Sequence, residues 1–222
     1  MLPLEVRIHG AAPTTPTFDP RDNCGKEYWY RLSVSVCADP LLDGAHGQRW
    51  HLPPRRNAPQ WDAQAAARTA RLLLGSHSYA AFANTPRGSE RVAAAEAAAA
   101  GKPVDTTCCL SMVQLRQLAN DEYMFRLRGD RFLYKMVRNI VGALVKVGHG
   151  ELSHDEVAEA LEQGFFSRSK SLALTAPPQG LVLRRVLFGG HSSSPQPNFQ
   201  GMSRQPPSGL RPWRARTVVQ RR

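Results

Sequence analysis

Apolar residues recur along residues 131–148 at the spacing of a single helix face: Phe132, Met136, Ile140, Ala143, Leu144 and Val147. The pattern predicts an α-helix, closed at Gly148 by a left-handed cap. Arg138 and Asn139 interrupt this apolar segment. A buried arginine needs an anionic partner, whereas a lone arginine also commonly leans to solvent or binds a backbone carbonyl. The pattern leaves both readings open.

Strict alternation marks the strands. Leu4–His9 reads as a half-buried strand, followed by an extended connector carrying Pro13, Pro16 and Pro20. In residues 28–37, Tyr28, Tyr30, Leu32, Val34 and Val36 share one face, and Trp29, Arg31, Ser33 and Ser35 the other. Residues 41–59 read as a loop in which His51 is structural. A helix is expected from Trp61, with Asp62 in its first turn, to Leu74, ended by Gly75. Strands are expected at 107–117 and 122–128, turned by Asn120-Asp121. Ser153 and Glu156 form a capping box opening a short helix that buries Val157, Ala160 and Leu161 and stops at Gly164. A last strand ends at Phe188. This order describes an α+β fold, a largely antiparallel sheet with helices packed on one face.

Composition narrows the class. At 222 residues the chain has room for one ordinary domain, expected over 1–189, and a tail over 190–222. Within the domain, the Ala-rich stretch around 85–103 reads as a surface insertion. From residue 189 onward there is no acid, and Arg204, Arg211, Arg214, Arg216, Arg221 and Arg222 make a basic tail expected to be disordered. A net charge of +11 favours a polyanionic partner, nucleic acid before membrane surface. No run of 18 apolar residues exists, so no membrane span is expected. Cys24, Cys37, Cys108 and Cys109 lack zinc spacing and read as free thiols of an intracellular reducing compartment. No metal site is expected, and the first residues carry no signal or transit pattern.

Several segments carry more than periodicity. Phe132-Leu-Tyr-Lys-Met-Val-Arg-Asn-Ile-Val-Gly142 closely resembles the F-x-x-x-M-V-R-N-I-V-G segment of TruA-like tRNA pseudouridine synthases. Phe18-Asp-Pro-Arg21 with Lys26-Glu-Tyr-Trp-Tyr30 looks like that family's F-x-A-R-F…R-x-Y-x-Y, one residue shorter and with Pro20 and Asp22 at its Ala and Phe. Trp50-His51 is similar to a family W-H. Arg71–Phe82 resembles A-x-x-L-x-G-x-H-D-F-x-x-F, with Ala83 where an Arg usually follows. Pro103-Val-Asp-Thr resembles P-V-R-T with Asp105 for Arg, and Ala176–Leu183 resembles A-P-x-x-G-L-x-L.

The resemblance implies a uridine in tRNA, flipped from its stack and isomerised to the C-glycoside without a cofactor, in an RNA-binding cleft expected on the sheet face away from the helices. It assigns Tyr28 to packing on the uracil, although a strand tyrosine is more often a sheet-face aromatic. It assigns Leu181 to the pocket wall, Gly180 to a close backbone approach, and Arg138 to keeping a catalytic aspartate ionised. Arg21, Lys135 and Asn139 would contact RNA. The partner implied is tRNA, with a homodimer open by the same resemblance. The family's aspartate lies in R-T-D-x-G-V-H, and no Arg-Thr-Asp followed by Gly-Val occurs in these 222 residues. No catalytic residue is therefore nominated. The N-terminal third of the family pattern is missing, and the chain as written is expected not to turn over. A non-catalytic RNA-binding module derived from such a synthase is the alternative.

Overall fold

In the computed structural model, β1 (Gly25–Val34) follows the alternation of its sequence. Tyr30 and Leu32 are fully buried and Tyr28 packs at the margin of the same core. Glu27, Trp29, Arg31 and Ser33 take the opposite face. Antiparallel β5 (Glu122–Gly129) lies along one edge of β1 from Lys26 to Ser33. The other edge is shared. β6 (Leu181–Leu187) pairs antiparallel with Gly25–Tyr30, and β2 (Trp50–Leu52) runs parallel beside Leu32–Val34. A hairpin joins β4 (Thr107–Ala119) to β5, and β3 (Gly75–Ser78) completes the order β2-β1-β5-β4-β3. Only the β1–β2 pairing is parallel among the described strands, in keeping with the α+β expectation.

The helical layer is α1 (Ala63–Ala70), α3 (Met136–Gly148) and α4 (His154–Gln163). Their apolar residues form one core with Tyr30, Leu32, Phe125 and Leu127 of the sheet. α3 is the central member, buried on nearly every side apart from Arg138 and Lys146. Each side chain such as Ile140 or Leu144 contributes about 1.5–3 kcal/mol by burial. Two glycines let neighbours reach its backbone. A Cβ on Gly142 would collide with the Leu174 carbonyl, and one on Gly148 with the indole of Trp61. Trp61 donates from Nε1 to the Val145 carbonyl at 3.2 Å, and the Asp62 amide donates to the Gly148 carbonyl at 2.8 Å. The start of α1 is thereby fixed to the end of α3. A further helix, α2 (Ser89–Ala99), is largely exposed within the Ala-rich stretch.

The structure describes residues 6–43, 48–54, 60–86, 89–119, 121–167 and 173–188. Residues 17–189 make one compact unit, and residues 6–16 belong to another. The tail at 190–222, Asn120, Leu4 and Glu5, and parts of the expected 41–59 loop and 85–103 insertion lie outside the described residues. Among those described, no helix is long and apolar enough to cross a membrane.

Several expectations are corrected. Residues 6–9 form no strand, and Val6 and Ile8 are exposed; alternation without a paired neighbour does not make a strand. The expected 41–59 loop contains β2, too short at three residues to show a period. β1 ends at Val34, and Val36 is exposed rather than on the core face. β3 occupies residues expected only to follow the first helix. That helix starts at Ala63, with Asp62 as N-cap accepting the amides of Gln64 and Ala65, and its last turn tightens over Arg71–Leu73. Phe132 is not helical, because Lys135 adopts a left-handed φ of 60° and α3 begins after it. Gly148 stays within the helix, and the left-handed glycine is Gly150 at φ 71°. The Ser153–Glu156 capping box and the left-handed stop at Gly164 are as expected.

Candidate active site

The first turn of α3, the middle of β1 and the turn entering β6 meet on the helix-bearing face. Arg138, half-buried, donates from Nε to the Ala176 carbonyl at 2.6 Å, and its own carbonyl accepts the Ala176 amide at 3.2 Å. One residue on, the Pro177 carbonyl accepts the Tyr30 hydroxyl at 2.7 Å. The 3-10 turn Pro178–Gly180 then lies flush on β1, since a Cβ on Gly180 would strike the Tyr30 ring and the Arg31 carbonyl. The expected close backbone approach at Gly180 is thus present, against protein. Burial pushes the Tyr30 phenol far above its ordinary value, and the positive charge of Arg138 opposes that rise. Tyr30 therefore remains a neutral donor.

Leu181 pairs directly across from Tyr30, and Leu183 across from Tyr28, so all four side chains share a face. Leu181 is half-buried; Leu183 is exposed. Tyr28 is half-buried, its phenol raised by burial, and its ring meets Phe132 edge-on at 5.0 Å. Tyr28, Leu181 and Arg138 thus lie on the face covered by α3. Together they offer an aromatic ring, an apolar wall and a cation. Among the described residues no carboxylate pairs with Arg138.

The remaining candidates are placed differently. Asn139 is buried, donating to the Phe82 carbonyl at 2.7 Å and to Asn84 Oδ1 at 2.6 Å, and accepting the Thr175 hydroxyl at 2.7 Å. It ties three segments together directly behind Arg138. Lys135 carries its left-handed backbone immediately before α3, with Nζ 5.6 Å over the Tyr134 ring. Strain of this kind costs on the order of 1–3 kcal/mol and concentrates at functional sites. Arg21 is exposed and held to Asp19 through Nε at 3.0 Å and Nη2 at 2.7 Å. Sequence reading missed Tyr30 and the carbonyls of Ala176 and Pro177 as the groups that fix Arg138 and Leu181. The alternation at 28–32 and the Ala-Pro-Pro run were the available signals.

The tRNA pseudouridine synthase family pattern matches residues 69–189, more than half of the chain. The chain belongs to the tRNA pseudouridine synthase family. The match includes Lys135, Arg138, Asn139, Gly180 and Leu181, and leaves Arg21 and Tyr28 outside it. Over 187 residues the chain is 35% identical to tRNA pseudouridine synthase A of Methylacidiphilum infernorum, covering 83% of this chain and 63% of that protein. Over 196 residues it is 34% identical to tRNA pseudouridine synthase A 1 of Protochlamydia amoebophila, covering 85% and 65%. Over 189 residues it is 33% identical to the Myxococcus xanthus tRNA pseudouridine synthase A, covering 85% and 62%. The chain thus spans somewhat less than two thirds of the length of these relatives.

Proposed function

We propose that the protein acts in tRNA modification as a pseudouridine synthase, isomerising a uridine of tRNA to its C-glycoside. The observation that carries this reading is the family match running through the segments that meet at Arg138 and Leu181. In this reading Tyr28 stacks on the flipped uracil. Flipping costs a few kcal/mol, and one aromatic face returns roughly 1–3 kcal/mol. Leu181 walls the base, and Arg138 holds a carboxylate ionised beside it. Asn139 fixes the segment behind Arg138, Arg21 and Lys135 reach phosphates, and the working form is a homodimer.

Cleaving the glycosidic C–N bond near neutral pH calls for an anionic group aimed at the sugar or base. A guanidinium stays protonated in proteins, so Arg138 is no base. Burial raises the Tyr28 phenol and makes it a poorer one. The carboxylate is proposed to come from an Arg-Thr-Asp segment of the family type, which the 222 residues do not contain. Tritium release from tRNA labelled at uridine C5 tests this, run on the 222-residue protein and on a fusion with the Arg-Thr-Asp segment of a relative. The expected result is tRNA binding by both and turnover by the fusion alone, abolished when its motif aspartate is changed. Turnover by the 222 residues alone would move the role to an acid of this chain, with Asp19, Asp22 and Asp105 mutated first. Absence of tRNA binding would remove the reading.

A further inference from the structure

The sheet face turned away from α3 is built of arginine. Register sets Glu27, Trp29 and Arg31 of β1 beside Arg128, Arg126 and Met124 of β5, with Met112, Gln114 and Arg116 of β4 beyond them. Alternation along β6 from Val182, the partner of Trp29, puts Arg184 on the same side, its guanidinium 5.0 Å from the Trp29 ring, while that of Arg126 lies 5.6 Å from it, and the bulge where β1 meets β6 sets Arg185 across from Glu27. Glu27 anchors this layer. Its carboxylate accepts Arg126 Nη2 at 3.0 Å, Arg128 Nη2 at 2.7 Å and Trp29 Nε1 at 2.7 Å, and it is only 1% exposed. Each of these two guanidiniums carries five N–H donors and gives one to Glu27, while the side chains remain 22% and 38% exposed.

We propose that this face, centred on Arg116, Arg126, Arg128 and Arg184, is a second RNA-contacting surface that grips backbone phosphates away from the uridine pocket. It rests on the reading that the protein acts on tRNA. Planar guanidiniums held in place by a buried carboxylate and an indole are pre-organised forks, and phosphate is the anion they match. Among the described residues, the arginines on this face outnumber its carboxylates, Glu27, Asp43 and Glu122, an excess that calls for a polyanion. A second copy of the chain fits poorly, because a two-fold interface would lay the same patch on itself and bury two like-charged surfaces against each other. The contact is to phosphate rather than to a base, since Trp29 already has guanidiniums against its ring.

The test is tRNA binding by fluorescence anisotropy across a salt series, using the full chain. The variant is the double reversal Arg116→Glu/Arg184→Glu, which leaves the Glu27 anchor intact. The control, Arg68→Glu/Arg71→Glu, makes the same charge change on the exposed side of α1 and the turn after it. Each phosphate that the protein no longer neutralises should reduce the slope of log affinity against log salt by about 0.7–0.9. The face variant is expected to show a slope shallower by about 1.4–1.8 and to bind at least about tenfold more weakly at low salt, the control keeping the wild-type slope. Wild-type binding with equal slopes in wild type and face variant overturns this inference and leaves the tRNA reading standing. No tRNA binding by wild type overturns both. A wild-type dimer by light scattering that the face variant dissociates, with its salt slope unchanged, also overturns the inference and makes the face a contact between copies.

Discussion

Glu27 sits on a strand face that solvent could reach, yet its carboxylate is almost entirely covered. Burial opposes its ionisation, and hydrogen bonds from Arg128, Trp29 and Arg126 outweigh that penalty, bringing its pKa from 4.5 down to about 2. A carboxylate depressed in the folded state stabilises the fold at pH above its unfolded value. That contribution drains as pH falls from about 4.5 towards about 2. Glu27→Gln keeps the shape and removes the charge. At neutral pH the variant should be less stable by about 2–3 kcal/mol, the scale of hydrogen bonds to a charged group. Across the acid window its melting temperature should fall less than that of wild type. Thermal unfolding followed by circular dichroism over a pH series reads both effects, and parallel profiles would show that Glu27 carries no special share of acid sensitivity. Asp43 titrates in the same direction: burial raises its carboxyl, hydrogen bonds from Arg49, the Asp39 amide and Ser33 lower it further, and the net shift is downward. The comparison with Glu27→Gln isolates one carboxylate from the other.

The start of α3 is set by one backbone conformation rather than by the apolar period. Lys135 holds a left-handed φ of 60°, a conformation costing an L-residue roughly 1–2 kcal/mol. Lys135→Gly removes that strain at some cost in unfolded-state entropy, so the variant should gain about 0.5–1 kcal/mol in a denaturant melt. If Lys135 serves the site, through its backbone or its ammonium, tRNA binding weakens although stability rises; a drop in stability would mean that the lysine side chain does more than hold the turn. A left-handed lysine has no signature in composition or spacing, which is why the apolar period extended the expected helix back to Phe132. The period persisted there because Phe132 still reaches inward, to Tyr28. Elements whose ends are written in side-chain chemistry were legible: Ser153, Glu156 and Gly164 bound α4 as read. β2 was not, since three residues beside Leu32–Val34 owe their strand character to the partner alone. For the site, the chain order of Tyr28, Arg138 and Leu181 was readable from motif words. Their attachment through Tyr30, Ala176 and Pro177 was not, because those bonds run through backbone carbonyls that no sequence pattern marks.

Across the whole molecule, 29 basic residues outnumber 18 acidic ones, and the excess is unevenly distributed along the chain. Residues 190–222, which lie outside the described residues, hold six arginines and no acid. A basic segment and a fixed arginine face act on RNA through the same effect, the release of counterions as phosphates are neutralised. Each neutralised phosphate adds about 0.7–0.9 to the salt slope. Deleting residues 190–222 should therefore flatten the dependence of log tRNA affinity on log salt by at least about one phosphate's share. An unchanged slope would show that the segment meets no phosphate. Combining the deletion with Arg116→Glu/Arg184→Glu then separates two arrangements. Where the segment and the sheet face meet different phosphates, they act independently and their effects on the slope add. If they compete for the same phosphates, either one substitutes for the other, and the combined variant flattens the slope more than the two single changes predict.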